Sequence, residues 1–307
     1  MSTAHTIDVA ARRLLVAAGE APSVHNTQPW RFRVHDNDQM DLLADWDRWL
    51  PVSDPRGRSL HVSCGGALFN LRVAVRVAGR VAAVRMLPNP EVLATIRFDT
   101  WSPVPAEMRE LYALIPYRRT SRAPFSERLI PAPVLSEMRT AASLERARLI
   151  FLDRRGADDM LDYAAIAQEQ LTKDSEYLAE LAAWTTGQGV PSHVHGPAAV
   201  GDMDPIRDFG RRTGSARFEP NPQLAVLTTA TDEPLDWLRA GQALQRVLLV
   251  AAKHAVSASF LNQPLDLRDM RRHKDPHHRR GHPQMIMRLG YGPPVPRAPR
   301  RPTSESG

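Results

Sequence analysis

The stretch Ala21-Pro22-Ser23-Val24-His25-Asn26-Thr27-Gln28-Pro29-Trp30-Arg31-Phe32 constrains the fold of this chain more than any other. Pro22 and Pro29 fix φ and remove two backbone donors, so neither a helix nor a central strand runs through it. Ser23, Asn26 and Gln28 bring hydroxyl and amide groups that both donate and accept hydrogen bonds. Before it, Ile7, Ala10, Ala11, Leu14, Leu15 and Ala18 recur at helical spacing, with Thr6 as cap and Gly19 as stop. After it, Trp30, Phe32 and Val34 alternate with Arg31 and Arg33, a half-buried strand. The connection fits a stiff αβ turn anchored by Trp30. It fits equally a loop that holds a ligand over a rigid scaffold.

Downstream, Met40 to Ala44 reads as the returning strand, and residues 45–59 as a loop. Leu60, Cys64, Leu68, Leu71, Val75 and Ala78 recur at helical spacing, and Phe69, Val73 and Val77 fill other faces, so this helix is buried nearly all round. Gly65 and Gly66 inside it cost about 1 kcal/mol each against alanine. They make sense where another backbone or a flat ligand comes close. Cys64 reads as a small core residue, with a reactive thiol as the alternative. Strands follow near 81–87 and 92–98, then a helix bearing Met108, Leu111, Tyr112 and Ile115 that leads to Pro116, a helix introduced by Pro131 and Pro133, a short strand at 149–152 and one long helix over 157–184. The segment 187–222 is rich in glycine and proline, and a structureless stretch of that length suggests a lid over a site. A strand at 223–229, a glycine-bearing apolar helix from Pro234 to Val256 and a strand at 284–289 complete the pattern.

With 307 residues, 43% hydrophobic and 24% charged, the chain has the composition of a soluble globular protein. No apolar run approaches the ~20 residues of a spanning helix. With one cysteine and no secretory leader pattern, the expectation is a cytoplasmic protein with no membrane partner. The net charge of +6 raises the question of nucleic acid. The basic residues are nearly all arginines and lie scattered apart from the run Arg271–His282, so no nucleic-acid partner is expected. His193 and His195 lack a third ligand, and no metal site is assigned.

Tyr117-Arg118-Arg119-Thr120-Ser121-Arg122 gathers three guanidiniums and two hydroxyls. Guanidinium forks match phosphate oxygens, so the run makes an anion clamp; a solvated basic turn is the alternative reading.

Together these pieces resemble the nitroreductase family. The segment Ala-Pro-Ser-x-x-Asn-x-Gln-Pro-Trp-x-Phe at 21–32 is similar to its flavin-contacting loop. Residues 118–122 resemble its Arg-Arg-Ser-x-Arg signature, with Thr120 in place of serine. The tail Arg300-Arg301-Pro302 is similar to its C-terminal phosphate contact. Here, however, the arginine signature follows the amide loop by almost a hundred residues instead of preceding it. With Asp54-Pro55-x-Gly57-Arg58, Cys64-Gly65-Gly66-Ala67 and Phe260-Leu261-Asn262-Gln263-Pro264, this order resembles the actinobacterial Acg-like branch.

The resemblance implies an α+β nitroreductase fold made of two pseudo-repeats, 1–105 and 106–307, mimicking a family dimer within one monomer, with 187–222 as lid. It implies one FMN, contacted by Pro22, Ser23, Asn26, Gln28, Arg118, Arg119, Thr120, Arg122, Arg300 and Arg301, with Arg122 beside the N1–C2 edge. No proton-transferring residue is assigned. NAD(P)H would reduce the flavin, and a nitroaromatic or quinone would take the electrons. The alternative is a flavoprotein that stores FMN with an occluded ring.

Overall fold

The structure, a computed structural model, describes residues 9–36, 38–185, 189–201, 207–210, 212, 214–267 and 281–302. Thr6 and Ile7, the start of the 187–222 segment and most of the run 271–282 lie outside the described residues. None of the described helices is long and apolar enough to cross a membrane.

The first half runs α1 (Val9–Gly19), β1 (Trp30–Asp36), β2 (Gln39–Ala44), α2 (Arg58–Val77), β3 (Arg80–Asn89) and β4 (Val92–Trp101). A helix α3 (Ala106–Leu114) then leads to α4 (Ala132–Leu144) and β5 (Arg148–Phe151). Two helices, α5 (Arg154–Leu171) and α6 (Ser175–Ala183), and two short strands, β6 (Ala198–Ala199) and β7 (Ser215–Ala216), come next. The chain closes with β8 (Gln223–Thr229), α7 (Pro234–Lys253), β9 (Ser257–Phe260), α8 (Gln263–Asp266) and β10 (His282–Gly290).

Two antiparallel four-stranded sheets form, ordered β1-β2-β4-β3 and β5-β8-β10-β9. Both sheets follow one plan. A helix, two strands, a long helix and two strands succeed one another, and the last two strands sit in reversed order beside the second. In the first half Trp30, Phe32, Met40, Leu42 and Ile96 pack on Leu60, Leu68 and Leu71 of α2. In the second, Leu227, Met287 and Leu289 meet Leu244, Val247 and Leu248 of α7, with Met138 of α4 behind them. The second sheet has a further cover, because Ala157, Leu161 and Ala164 of α5 pack on Leu224 and Ile286. This explains why β8 is buried almost throughout while β3 alternates half-buried and exposed over most of its length.

The halves meet where α2 crosses α7. A Cβ on Gly65 would lie 2.3 Å from the Leu238 carbonyl oxygen, and one on Gly241 would lie 2.0 Å from that of Val62. Both glycines answer to an approaching backbone. Gly66 is different: a Cβ there would meet Ala21 and Pro22 at an ordinary 3.7 Å. Polar groups register the crossing, with Gln245 Nε2 donating to Asn70 Oδ1 at 2.7 Å and Asn70 Nδ2 to the Ala17 carbonyl at 3.0 Å. Glu145 joins Arg72 and Arg246, at 2.6 and 3.1 Å, across the same seam.

Two elements depart from the sequence expectation. The helix expected over 157–184 breaks after Leu171, because the Asp174 carboxylate accepts from Glu176 N at 2.9 Å and Tyr177 N at 3.1 Å and so starts α6. Residues Ser257–Phe260 form an edge strand whose small residues carry little hydrophobic signal. Cys64 packs in the core, its Sγ donating to the Pro29 carbonyl at 3.1 Å, and burial pushes its thiol pKa up.

The crossing separates three glycines by the sign of their effect. Gly65→Ala and Gly241→Ala are expected to lower stability by about 3 kcal/mol through backbone overlap. Gly66→Ala is expected to raise it by up to about 1 kcal/mol through helix propensity. Urea midpoints at unchanged slope read all three.

Candidate functional site

Residues 20–29 form the first wall. Val24–Asn26 make a single 3-10 turn, and His25, Asn26 and Gln28 hold positive φ of 45°, 56° and 49°. Such angles cost side-chain-bearing residues about 1–3 kcal/mol each and are kept where the surroundings over-determine them. Ser23 Oγ accepts from Gln28 N at 3.0 Å, and Val24 N donates to Ser63 Oγ on α2 at 3.2 Å.

Arg118–Arg122 form the second wall. Thr120 bridges Ala258 in parallel, and Ser121 N donates to the Ala258 carbonyl at 2.9 Å, so the motif is laid along the edge strand β9. The C-terminal tail then returns to the first half. Asn26 Nδ2 donates to the Pro299 carbonyl and Arg300 Nη1 to Asn26 Oδ1, both at 3.1 Å. Arg301 N donates to Gln28 Oε1 at 2.8 Å, and its guanidinium pairs with Asp45 at 2.8 Å.

Two adjoining chambers lie between the walls, sharing Pro22, Ser23, Thr120 and Arg122. One is basic, lined also by Asn26, Arg118, Arg119 and Arg300. The other is less polar, with Val62 and Ser63 of α2, Leu244 of α7, and Phe260, Asn262 and Met285 of the second half; its empty space, mouth included, is about 750 Å³. Val190 and Val194 close on the first chamber, Arg207 and Phe209 on the second.

Arg118 decides what the basic chamber wants. It is 4% exposed, yet its Nε and Nη1 have no hydrogen-bond partner, and Nη2 reaches the Glu20 carbonyl only at 3.5 Å. Burial, then Arg300 and Arg119, pull its pKa down to about 9. Arg300, also pulled down to about 10 by burial and then Arg297 and Arg119, leaves Nε unbonded. Even so lowered, both groups stay cationic at neutral pH; Arg300 has Glu20 and Asn26 beside it, whereas Arg118 has no ion pair among the described residues, and a buried cation left short of partners is relieved by an anion. Arg122 sits at the junction; its Nη1 donates to the Val194 carbonyl at 2.8 Å and its guanidinium lies 4.6 Å from the centre of the Phe209 ring.

Of the residues expected to touch a ligand, Pro22, Ser23, Asn26, Arg118, Arg119, Thr120, Arg122 and Arg300 line the basic chamber. Gln28 and Arg301 line neither chamber. Gln28, 2% exposed, is spent on Asn26 O and Arg301 N, and Arg301 is spent on Asp45. Both brace the wall from behind.

The sequence reading passed over His25, Arg207 and Phe209. Arg207 donates to Tyr177 Oη at 2.8 Å, pairs with Asp266 and comes within 3.4 Å of His25 Nε2. Burial, then Arg207 and Arg122, hold the His25 pKa well below its ordinary value, so the ring is neutral at pH 7. Phe209 stacks on His195 at 5.3 Å and meets His25 edge-on at 5.8 Å. His25 stood inside the quoted loop and Phe209 inside the suspected lid, but no periodicity marked either.

No family model matches the chain. Full-length relatives do. It is 34% identical over 316 residues to the "Putative NAD(P)H nitroreductase Rv3131" of Mycobacterium tuberculosis H37Rv, covering 96% of this chain and 90% of the relative. It is 33% identical over 314 residues to that strain's "Putative NAD(P)H nitroreductase acg", covering 94% and 92%. The chain belongs to the nitroreductase family. Solved structures similar to this nitroreductase-family chain include a nitroreductase-like family protein from Bacillus cereus, at 15% identity, 67% of this chain, 95% of that one and a TM-score of 0.38. Another is a nitroreductase with bound FMN from Bacteroides fragilis, at 14% identity, 60% and 89% coverage and a TM-score of 0.37. The family membership rests on the sequence relatives.

The unpartnered Arg118 gives a test that needs no knowledge of the natural ligand. Inorganic phosphate is expected to raise the melting temperature of the apoprotein. Arg118→Met is expected to be more stable than wild type without phosphate, by about 1–3 kcal/mol, and to lose the phosphate response. Thermal scans with and without phosphate check both.

Proposed function

We propose that this chain is an FMN-dependent NAD(P)H oxidoreductase of the nitroreductase type, active in the cytoplasm. The observation that carries the reading is the buried, unpartnered guanidinium of Arg118 beside Arg300 in a chamber that opens onto a larger, less polar one. A flavin mononucleotide has the matching shape: an anionic phosphate, a hydroxylated chain and a broad planar ring. Arg118, Arg119 and Arg300 would take the phosphate, and Thr120 the chain. Pro22, Ser23 and Asn26 would line the ring from the first half, and Arg122 would face its N1–C2 edge. When bound, FMN supplies the redox chemistry, accepting a hydride from NAD(P)H and passing electrons to a nitroaromatic or quinone. The chain's own part is to hold the phosphate, orient the ring and exclude water; no side chain need transfer a proton.

The matching order of strands in the two sheets, and the reciprocal contact of Gly65 with Gly241, support the further proposal that the halves 1–105 and 106–307 are a fused twin acting as a pseudo-dimer. The twin has one site. The ligand loop occupies 20–29, between α1 and β1, whereas the corresponding connection between α4 and β5 is only the turn 145–147. One FMN per chain is expected from flavin absorbance against protein concentration, and two would overturn the single-site reading.

A specific observation favours a second reading, storage of FMN without turnover. Phe209 is 6% exposed at the less polar chamber and is held there by contacts with His195, His25 and Arg122. The segment 187–222 would then be a lid that denies nicotinamide access. Anaerobic mixing of the yellow protein with NADPH or NADH separates the two. Bleaching is expected for the reductase; none with either donor leaves storage. In either case Arg118→Ala is expected to weaken FMN retention by about 1.5–3 kcal/mol, measured by fluorescence titration of the apoprotein.

A further inference from the structure

The backbone of His25 is strained to hold its ring in place. Its φ of 45° lies in the left-handed region, and the ring lines the less polar chamber but not the basic one. Strain of that kind persists where the surroundings aim a side chain at a task. Arg207 sets the chemistry of the ring, because its Nη1 lies 3.4 Å from His25 Nε2. A guanidinium only donates, so the nitrogen that faces it must be the bare, accepting one. Arg207 stays charged: burial pulls its pKa down, but Tyr177 and Asp266 outweigh burial and the net shift is upward. The His25 ring is neutral at pH 7, and its one proton therefore sits on Nδ1. Among the described residues no hydrogen bond engages that N–H.

We propose that the Nδ1–H of His25 is the donor that positions an exocyclic oxygen of the electron acceptor, a quinone carbonyl or a nitro oxygen, in the less polar chamber. The inference rests on the reading of that chamber as the place where an acceptor meets the flavin ring. Several polar neighbours are committed elsewhere. Asp266 pairs with Arg207, and Asn262 Oδ1 accepts from Ile286 N at 3.0 Å. Ser63 Oγ donates to the Ser59 carbonyl at 2.7 Å while accepting from Val24 N. The walls from Val62, Leu244 and Phe209 suit a planar ring but give it no preferred rotation in its own plane. A neutral donor among such walls discriminates by chemistry. An oxygen-bearing ring satisfies it, whereas a hydrocarbon of the same shape leaves the N–H unpaired. Neutrality also matters, since a histidinium would set a third cation beside Arg207 and Arg122. His25 is thus a positioning group, and its proton need not leave Nδ1.

The test combines a tautomer, a spectrum and a rate. Nitrogen-15 NMR of histidine-labelled protein at neutral pH is expected to place the His25 proton on Nδ1; a proton on Nε2 overturns the proposal. Menadione bound to the oxidised protein, where it is not reduced, is expected to show a carbonyl stretch lowered by hydrogen bonding in isotope-edited infrared spectra. His25→Phe keeps an aromatic ring beside Phe209 but has no donor. It is expected to return the stretch to its value in apolar solvent and to weaken menadione binding about three- to tenfold. His25→Asn gives up the ring but keeps an amide N–H near the Nδ1 position, and asparagine tolerates the positive φ. It is expected to keep the lowered stretch and most of the affinity. Equal behaviour of the two variants, or the reverse order, would mean that the ring only packs on Phe209, against the proposal. Absence of saturable menadione binding to wild type overturns it as well. In the third arm the protein is reduced with dithionite and reoxidised by menadione or by ferricyanide, which needs no place in the chamber. The ratio of the menadione rate to the ferricyanide rate is expected to fall about three- to tenfold in His25→Phe, and an unchanged ratio overturns the assignment. Dithionite stands in for the nicotinamide, so failure of NADPH and NADH to bleach the protein would remove the reductase reading and leave this one to be judged on its own arms.

Discussion

The crossing of α2 over α7 sets everything that follows, because it brings two backbones within the reach of a single missing Cβ. Gly65 and Gly241 let the Leu238 and Val62 carbonyls approach, and the same turns of helix present Val62, Ser63 and Leu244 to the less polar chamber. The floor of the site is therefore the helix interface itself. Interiors are close-packed and transmit strain, so spacing at the crossing and width of the chamber are one variable. Ser63 makes the link explicit by accepting from Val24 N, which ties the loop wall to the helix that carries the crossing.

On that floor the electrostatics are deliberately incomplete. Arginines from two distant segments, 118–122 and 297–301, converge on the same loop. The carboxylates nearby are already committed: Glu20 serves Arg297 and Arg300, Asp45 serves Arg301 and Asp266 serves Arg207. The braces thus each hold a carboxylate, while Arg118, which lines the chamber, has no ion pair among the described residues and two unbonded nitrogens. An uncompensated buried cation costs stability, and that cost is recovered when an anion enters. The contrast between Arg301, ion-paired with Asp45, and Arg118, with no ion pair among the described residues, supports the proposal that Arg118 is the one that meets a ligand.

Much of the fold was legible in the sequence for a physical reason. Periodicity records burial, so the strands that start at Trp30 and Gln223 and the glycine-bearing helices that follow Leu60 and Pro234 could be read directly, if not to their exact ends. What escaped was set by polar or backbone contacts. Asp174 ends one helix and caps the next through two N–H groups, and Ser257–Phe260 is a strand because β10 pairs with it. The site divided along the same line. The residue types of Ser23, Asn26 and Arg118 pointed at a ligand, but Gln28 has the same chemistry and faces the tail instead. Amide type does not encode direction. Arg207 and Phe209 were invisible because their roles depend on Tyr177, Asp266 and His25, partners brought in by the fold alone.

The asymmetry between the halves follows from placing both in one chain. In a symmetric pair every loop appears twice, and a change that benefits one site is imposed on its mate. In the proposed twin, the connection 20–29 can keep its strained turn while 145–147 shrinks to a tight bend, and Glu145 in that bend is free to clamp Arg72 and Arg246. The position that would have carried a second ligand loop thus ties the halves together. Among the described residues the cover of α5 on the second sheet has no counterpart on the first, and α6, which follows it, supplies the Tyr177 that anchors Arg207. On the proposed twin, loss of one site and elaboration of the other would be two consequences of the same broken symmetry, and the proposed site draws on residues of both halves.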